Sequence, residues 1–211
     1  MSPSESVAIG LVLGMRHALD PDHVVAMSTM VGRTGRVQDA VRAGALWGLG
    51  HSLTVLVVGL GIGFFGLRFT GRAEVVVELL VAAMLVVLGL SALFARAPSA
   101  VENTESRTST PAVGARRMAR PVIVGLVHGL AGSAGLSLVA MTTLPTRATA
   151  LLYLVLFGLG TVIAMASATA LLSLPALYFR RTFASLVFVR AAGVLGILCG
   201  ALIALRVVRG H

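Results

Sequence analysis

The stretch "RHALDPDH", Arg16 to His23, sets five ionisable side chains and a proline inside a run that is otherwise apolar, "LGMRHALDPDHVVAM" from Leu13 to Met27. Its surroundings decide what kind of fold must hold it. Hydrophobic residues make up 57% of the 211 positions and charged ones only 12%, and the mean hydropathy is +0.95. Soluble domains are far less apolar, so the chain reads as an all-α integral membrane protein. The net charge of +9 does not point to nucleic acid. Every one of the 17 cations is arginine and most lie between apolar runs, where they act as topology signals. Aromatic residues, at 5%, are too few for a stacking surface, so no nucleic-acid partner is expected. One cysteine, Cys199, excludes an internal disulfide, a CxxC redox pair and a thiolate-rich zinc site. No basic region or A-x-A cleavage pattern precedes the first apolar run, so that run reads as retained.

A bilayer core needs about 20 apolar residues per helix. Six stretches satisfy this, from Val7 to Val31, Ala40 to Phe65, Val75 to Phe94, Pro121 to Thr143, Ala148 to Leu172 and Phe183 to Val207. Between the third and fourth lies a polar stretch rich in Ser, Thr and Pro, which predicts a flexible linker. The expected organisation is therefore residues 1–96 as one three-helix unit, 97–119 as linker and 120–211 as a second unit. Arginines 33, 36, 42, 96, 107, 116, 117, 120, 180 and 181 fall in the odd-numbered connections, against 68, 72, 147, 206 and 209 on the other side. The positive-inside rule then predicts a multi-pass protein of the cell membrane, with both termini outside and the linker in the cytoplasm.

The two halves resemble each other. "LGMRHALDPDHVVAM" aligns with "GLVHGLAGSAGLSLVAM", matching His17 to His128, and "LWGLGHSLTV" faces "LFGLGTVIAM", matching Gly48-Leu49-Gly50 to Gly158-Leu159-Gly160. A repeat of three spans must invert across the membrane, so an inverted three-plus-three repeat is predicted, as in many transporters whose substrate sites lie where interrupted helices meet.

Ionisable groups at such depth cost several kcal/mol unless paired or solvated, and by default mark an ion or substrate pathway. In a regular helix His17, Asp20 and His23 would share one arc of about 120° and Asp22 would point away. Pro21 removes a backbone donor and crowds the preceding turn, so a kink or break is predicted that would swing Asp22 inward. His51, in "WGLGHSLTV", falls near half depth of its span beside the hydroxyl of Ser52. His128 and Ser133, in "HGLAGSAG", form a third polar element, and His128 reads equally as a ligand or as a hydrogen bond between helices. Imidazole with carboxylate and no thiolate suits divalent nickel, cobalt or zinc better than copper(I). Arg16 is expected as a counter-ion for Asp20 or Asp22.

These motifs carry a resemblance. "RHALDPDHV" resembles the H-x4-D-H signature of the nickel/cobalt transporter superfamily, "LGHSLTV" its second histidine motif, and "HGLAGSAGL" with "FGLGT" is similar to its shorter, urease-accessory type of nickel permease. The resemblance implies secondary transport of nickel or cobalt ions, with His17, Asp20, Asp22, His23 and His51 binding the metal. His128, Ser52 and Ser133 are expected as pathway residues. The resemblance also implies a link to the maturation of nickel enzymes and no prosthetic group, the ion being the substrate. Acidic residues that longer members carry in the fifth span are missing from "LFGLGTVIAMASATALL". A His-rich loop of the kind found in exporters is also missing, which favours uptake over export. Two other classes stand beside a permease: a zinc or aspartate intramembrane hydrolase, for which no HExxH or GxSxG is present, and a non-transporting accessory subunit.

Overall fold

The computed structural model describes residues 3–31, 36–66, 71–94, 118–130, 144, 146–178 and 183–210. Its elements are helices: α1 (Pro3–His17), α2 (Pro21–Val31), α3 (Val37–Phe65), α4 (Arg72–Leu93), α5 (Met118–Leu130), α6 (Arg147–Tyr178) and α7 (Phe183–Arg209). Among the described residues, α3, α4, α6 and α7 are each long and apolar enough to cross a membrane. Exposed leucine, isoleucine and valine at every fourth position, Leu49, Leu53 and Val57 on α3 and Val155, Leu159 and Ile163 on α6, form the outward stripes that lipid would cover.

The first apolar run is two helices. The Ala18 amide still donates to Gly14 O at 3.1 Å, but Leu19 and Asp20 turn back to Arg16 O and His17 O at 2.9 and 3.0 Å, tightening the last turn. Pro21, which has no N–H to give, then occupies the opening position of α2, where its fixed φ fits and its missing donor is not needed. The Val24 amide restarts the ladder on Asp20 O at 3.0 Å. The two pieces then take different neighbours. α1 lies along α6, whereas α2 packs against α7, α6 and α4.

Close approach is made possible by glycine. A Cβ at Gly14 would collide with the carbonyl of Phe157, and one at Gly125 with the carbonyl of Trp47, so α1 meets α6 and α5 meets α3 backbone to backbone. α3 and α6 cross in opposite directions, with Gly48 against Val162 and Gly158 against Ser52. α4 and α7 do the same through Gly89 and Gly193. The central core is built from Ala18, Ala26, Met27, Trp47, Val81, Leu85, Leu88, Val124, Ala164 and Met165. It lies directly beside the break between α1 and α2.

Candidate metal centre

Four elements bring polar groups to that break. His17 ends α1, Asp22 and His23 open α2, His51 is the central residue of the 29-residue α3, and His128 lies in the last turn of α5 that is described. His23, His51 and His128 are 2%, 0% and 2% exposed. The rings crowd together: centroids lie 4.7 Å apart for His17 and His23, 5.2 Å for His17 and His51, 5.1 Å for His23 and His51, and 4.1 Å for His23 and His128.

The hydrogen bonds fix which nitrogens are available. A carboxylate only accepts, so each imidazole nitrogen bound to one must carry the proton. His17 Nδ1–H donates to Asp20 Oδ2 at 2.8 Å, leaving the lone pair on Nε2, which faces His51 Nε2 at 3.2 Å. Asp22 accepts from His23 Nδ1–H at 3.2 Å through Oδ1 and from His128 Nε2–H at 2.8 Å through Oδ2. The other nitrogens of these rings, His23 Nε2, His51 Nδ1 and His128 Nδ1, are buried without a hydrogen-bond partner. Leaving a buried polar group unpaired costs about 1–3 kcal/mol. A bare lone pair on each of several neighbouring rings is what a cation would satisfy, each neutral ring offering one nitrogen. The 3.2 Å between His17 and His51 also fits a shared ion. Two nitrogens about 2.0–2.1 Å from one metal lie about 2.9 Å apart at right angles and about 3.4 Å apart in a tetrahedron.

Two groups of three donors emerge, His17 with His23 and His51, and Asp22 with His23 and His128, each with its donor atoms within 4.8 Å of one another. Asp22 is thus within the cluster, while Asp20 sits at its rim, its side chain 49% exposed and behind His17 rather than among the three-donor groups. Arg16 is exposed, and the ion-pair partners of both carboxylates are histidines, which corrects its expected role as counter-ion. The Ser52 hydroxyl donates to Gly158 O at 3.0 Å and so joins α3 to α6. Ser133 lies outside the described residues.

Two aromatic walls were not expected from sequence. Trp47, fully buried, stacks on His23 at 6.0 Å and lies 5.7 Å from His128, while Phe157 lies 5.4 Å from His17. The one signal available was placement, since each immediately precedes a Gly-Leu-Gly triplet of the repeated motif.

The chain matches, over residues 5–203, the family described as high-affinity nickel-transport protein. It is 35% identical to the urease accessory protein UreH of Bacillus sp. (strain TB-90) over 80% of this chain and 76% of that protein. It is also 31% identical to the chloroplast protein FOR GROWTH AND FERTILITY 2 of Arabidopsis thaliana and 30% identical to FOR GROWTH AND FERTILITY 1 of the same plant. Each of these two matches covers 76% of this chain, but only 45% and 47% of the respective plant protein. No solved structure matches.

Proposed function

The chain belongs to the high-affinity nickel-transport family, and from that premise we propose that it is a secondary permease carrying divalent nickel, and cobalt as a close analogue, into the cell. The family's function is transport of a metal ion through a membrane protein, so the hydrolase reading falls away. The observation that carries the finer reading is the gathering of His17, Asp22, His23, His51 and His128 at the break between α1 and α2, in two groups of three whose donor atoms lie within 4.8 Å of one another.

In this reading His17, Asp22, His23 and His51 hold the ion. Asp20 acts through His17, fixing the tautomer that leaves Nε2 bare and raising its basicity, as carboxylates behind metal-binding imidazoles commonly do. Pro21 provides the interruption: without it Asp22 would follow the helix away from the ring cluster. Asp22 contributes the negative charge that offsets dehydration of a divalent ion inside a low-dielectric protein. Neutral nitrogen donors with one carboxylate oxygen suit nickel(II) or cobalt(II).

An inverted repeat is the proposed frame. Its support is contact by contact: Gly48 meets Val162 as Gly158 meets Ser52, Gly50 meets Val122 as Gly160 meets Leu11, and Gly14 meets Phe157 as Gly125 meets Trp47. α1 runs parallel to α6, α6 antiparallel to α3, and α3 parallel to α5, so α1 and its counterpart α5 point in opposite directions. The arginine distribution supports a cytoplasmic linker and external termini. A cysteine at Ser106, in a chain with Cys199→Ser, should resist an impermeant thiol reagent in intact cells; ready labelling would reverse the orientation.

The direct test is uptake of radioactive nickel into proteoliposomes by the purified chain alone. Wild-type protein should accumulate the ion, and His17→Ala or His23→Ala should abolish this while still inserting. Uptake that requires a second protein would favour an accessory subunit instead.

A further inference from the structure

His23 belongs to both three-donor groups, and one composite site does not explain why. A neutral imidazole has a single lone pair. With its proton on Nδ1, His23 can complete the group with His17 and His51; to complete the group with Asp22 and His128, it and His128 must each move the proton now donated to Asp22 to the opposite ring nitrogen, so His23 cannot serve both groups at once. The groups also differ chemically. The first is entirely imidazole, with its carboxylate held behind His17, whereas the second presents a carboxylate directly.

Resting on the reading that the cluster carries the transported ion, we propose that it consists of two adjacent cation positions occupied in turn. One is closed by His17, His23 and His51 and the other by Asp22, His23 and His128, with His23 handing the ion between them. His128 is then a ligand of the second position and not a packing residue.

The seats of the two outer histidines support this independently. His17 rests against Phe157 where the backbones of Gly14 and Phe157 meet. His128 rests against Trp47 where the backbones of Gly125 and Trp47 meet. Equivalent seats in two inverted halves lie toward opposite faces of the membrane. An ion passing from His17 to His128 through His23 therefore moves from the seat nearer one face to the seat nearer the other. The His51 and His128 rings lie 6.1 Å apart, so the hand-off is a displacement of a few ångströms that rotation of one side chain can span.

The test uses the full chain in detergent with Ni2+ as probe. Binding is read by quenching of Trp47, the sole tryptophan, and imidazole ligands are counted by X-ray absorption. Wild type should hold one ion per chain. His128→Ala should still bind nickel through three imidazoles, and His17→Ala through two, yet each should lower transport at least about tenfold, because half the path is missing. His23→Ala should bind at neither position. If His128→Ala fails to insert, His128→Gln replaces it and the same results are required. Loss of binding in His128→Ala as complete as in His23→Ala would mean one composite site and overturn the proposal. So would wild-type transport by His128→Ala, or two ions bound at once to wild type. Transport abolished by His17→Ala and His23→Ala but untouched by His128→Ala would leave the permease reading standing and sink only the two positions. A wild-type chain that neither binds nor carries nickel or cobalt would sink both.

Discussion

α3 and α6 are built on the same motif and do different things with it. Both present Gly-Leu-Gly to a crossing neighbour, both place an aromatic residue just before it, Trp47 and Phe157, and both carry a fully buried polar residue just after it, His51 and Thr161. The Thr161 hydroxyl is satisfied: its one proton is shared between Gly14 O at 3.1 Å and Phe157 O at 2.9 Å, both backbone carbonyls. His51 is not fully so: its Nε2 meets only His17 Nε2, at 3.2 Å, and its Nδ1 is buried without a hydrogen-bond partner. The glycine frame is thus common to both helices whatever polar residue follows it. Chemistry enters where one copy holds a group that the protein itself leaves unsatisfied.

The comparison breaks most visibly at His51. His51→Thr gives α3 the residue of α6, whose hydroxyl can find a backbone carbonyl and close itself. Nickel uptake should fall by more than the roughly 10–100-fold that loss of an outer-shell partner costs, with insertion unchanged. Retained uptake in proteoliposomes would mean that α3 is as much scaffold as α6. Next is Asp20→Asn, which keeps the shape but removes the charge that orients His17 toward His51. Nickel affinity measured by Trp47 quenching should drop about 10–100-fold, and restoration by Asp20→Glu would mark the carboxylate as the cause. No change in affinity would leave Asp20 as a surface carboxylate only.

At the shared frame the two helices should behave alike. A Cβ at Gly48 would come within 2.8 Å of Val162 Cα, and one at Gly158 within 3.0 Å of Ser52 Cβ. Gly48→Ala and Gly158→Ala should therefore each destabilise by about 1–3 kcal/mol, the usual range for overpacking. Thermal unfolding in detergent should show the two losses to be similar. A large loss at one glycine alone would show that the two crossings are not equivalent.

What sequence reading reaches here, and what escapes it, follows from range. The spans expected from Ala40 to Phe65 and from Val75 to Phe94 lie within a few residues of α3 and α4, because charged residues and glycine punctuate apolar runs locally. α6 runs on to Tyr178, beyond the expected end at Leu172, since "SLPALY" continues apolar past Pro175. The helix restart at Pro21 is equally local, being a matter of one missing N–H. The partner of Asp22 is another matter. His128 is joined to it from the far half of the chain, and no spacing rule connects them. The same holds for Trp47 and Phe157, whose roles as walls depend on which helix crosses which. Arg16 differs: the partners of Asp20 and Asp22 include His17 and His23, which are nearer along the chain than Arg16 is, and Arg16 stands on the exposed side.

The smallest expected effect lies at Thr161 and decides whether α6 is scaffold only. Thr161→Val keeps the branched shape and removes the hydroxyl. Gly14 O then loses one donor but keeps its helical bond from the Ala18 amide at 3.1 Å, and Phe157 O stays inside the continuous α6, so neither carbonyl is left bare. Removing a hydrogen bond in which the acceptor stays satisfied should cost only about 0.5–1.5 kcal/mol. The position of α1 is also held by glycine contacts with α6 at Gly10 and Gly14, so His17 should remain in place. Uptake of nickel and quenching of Trp47 should both be close to wild type while the unfolding temperature falls slightly. If instead transport is lost from a protein that unfolds at the wild-type temperature, Thr161 contacts the ion or its path. α6 would then carry chemistry after all, and the division of labour between the two copies of the motif would be wrong.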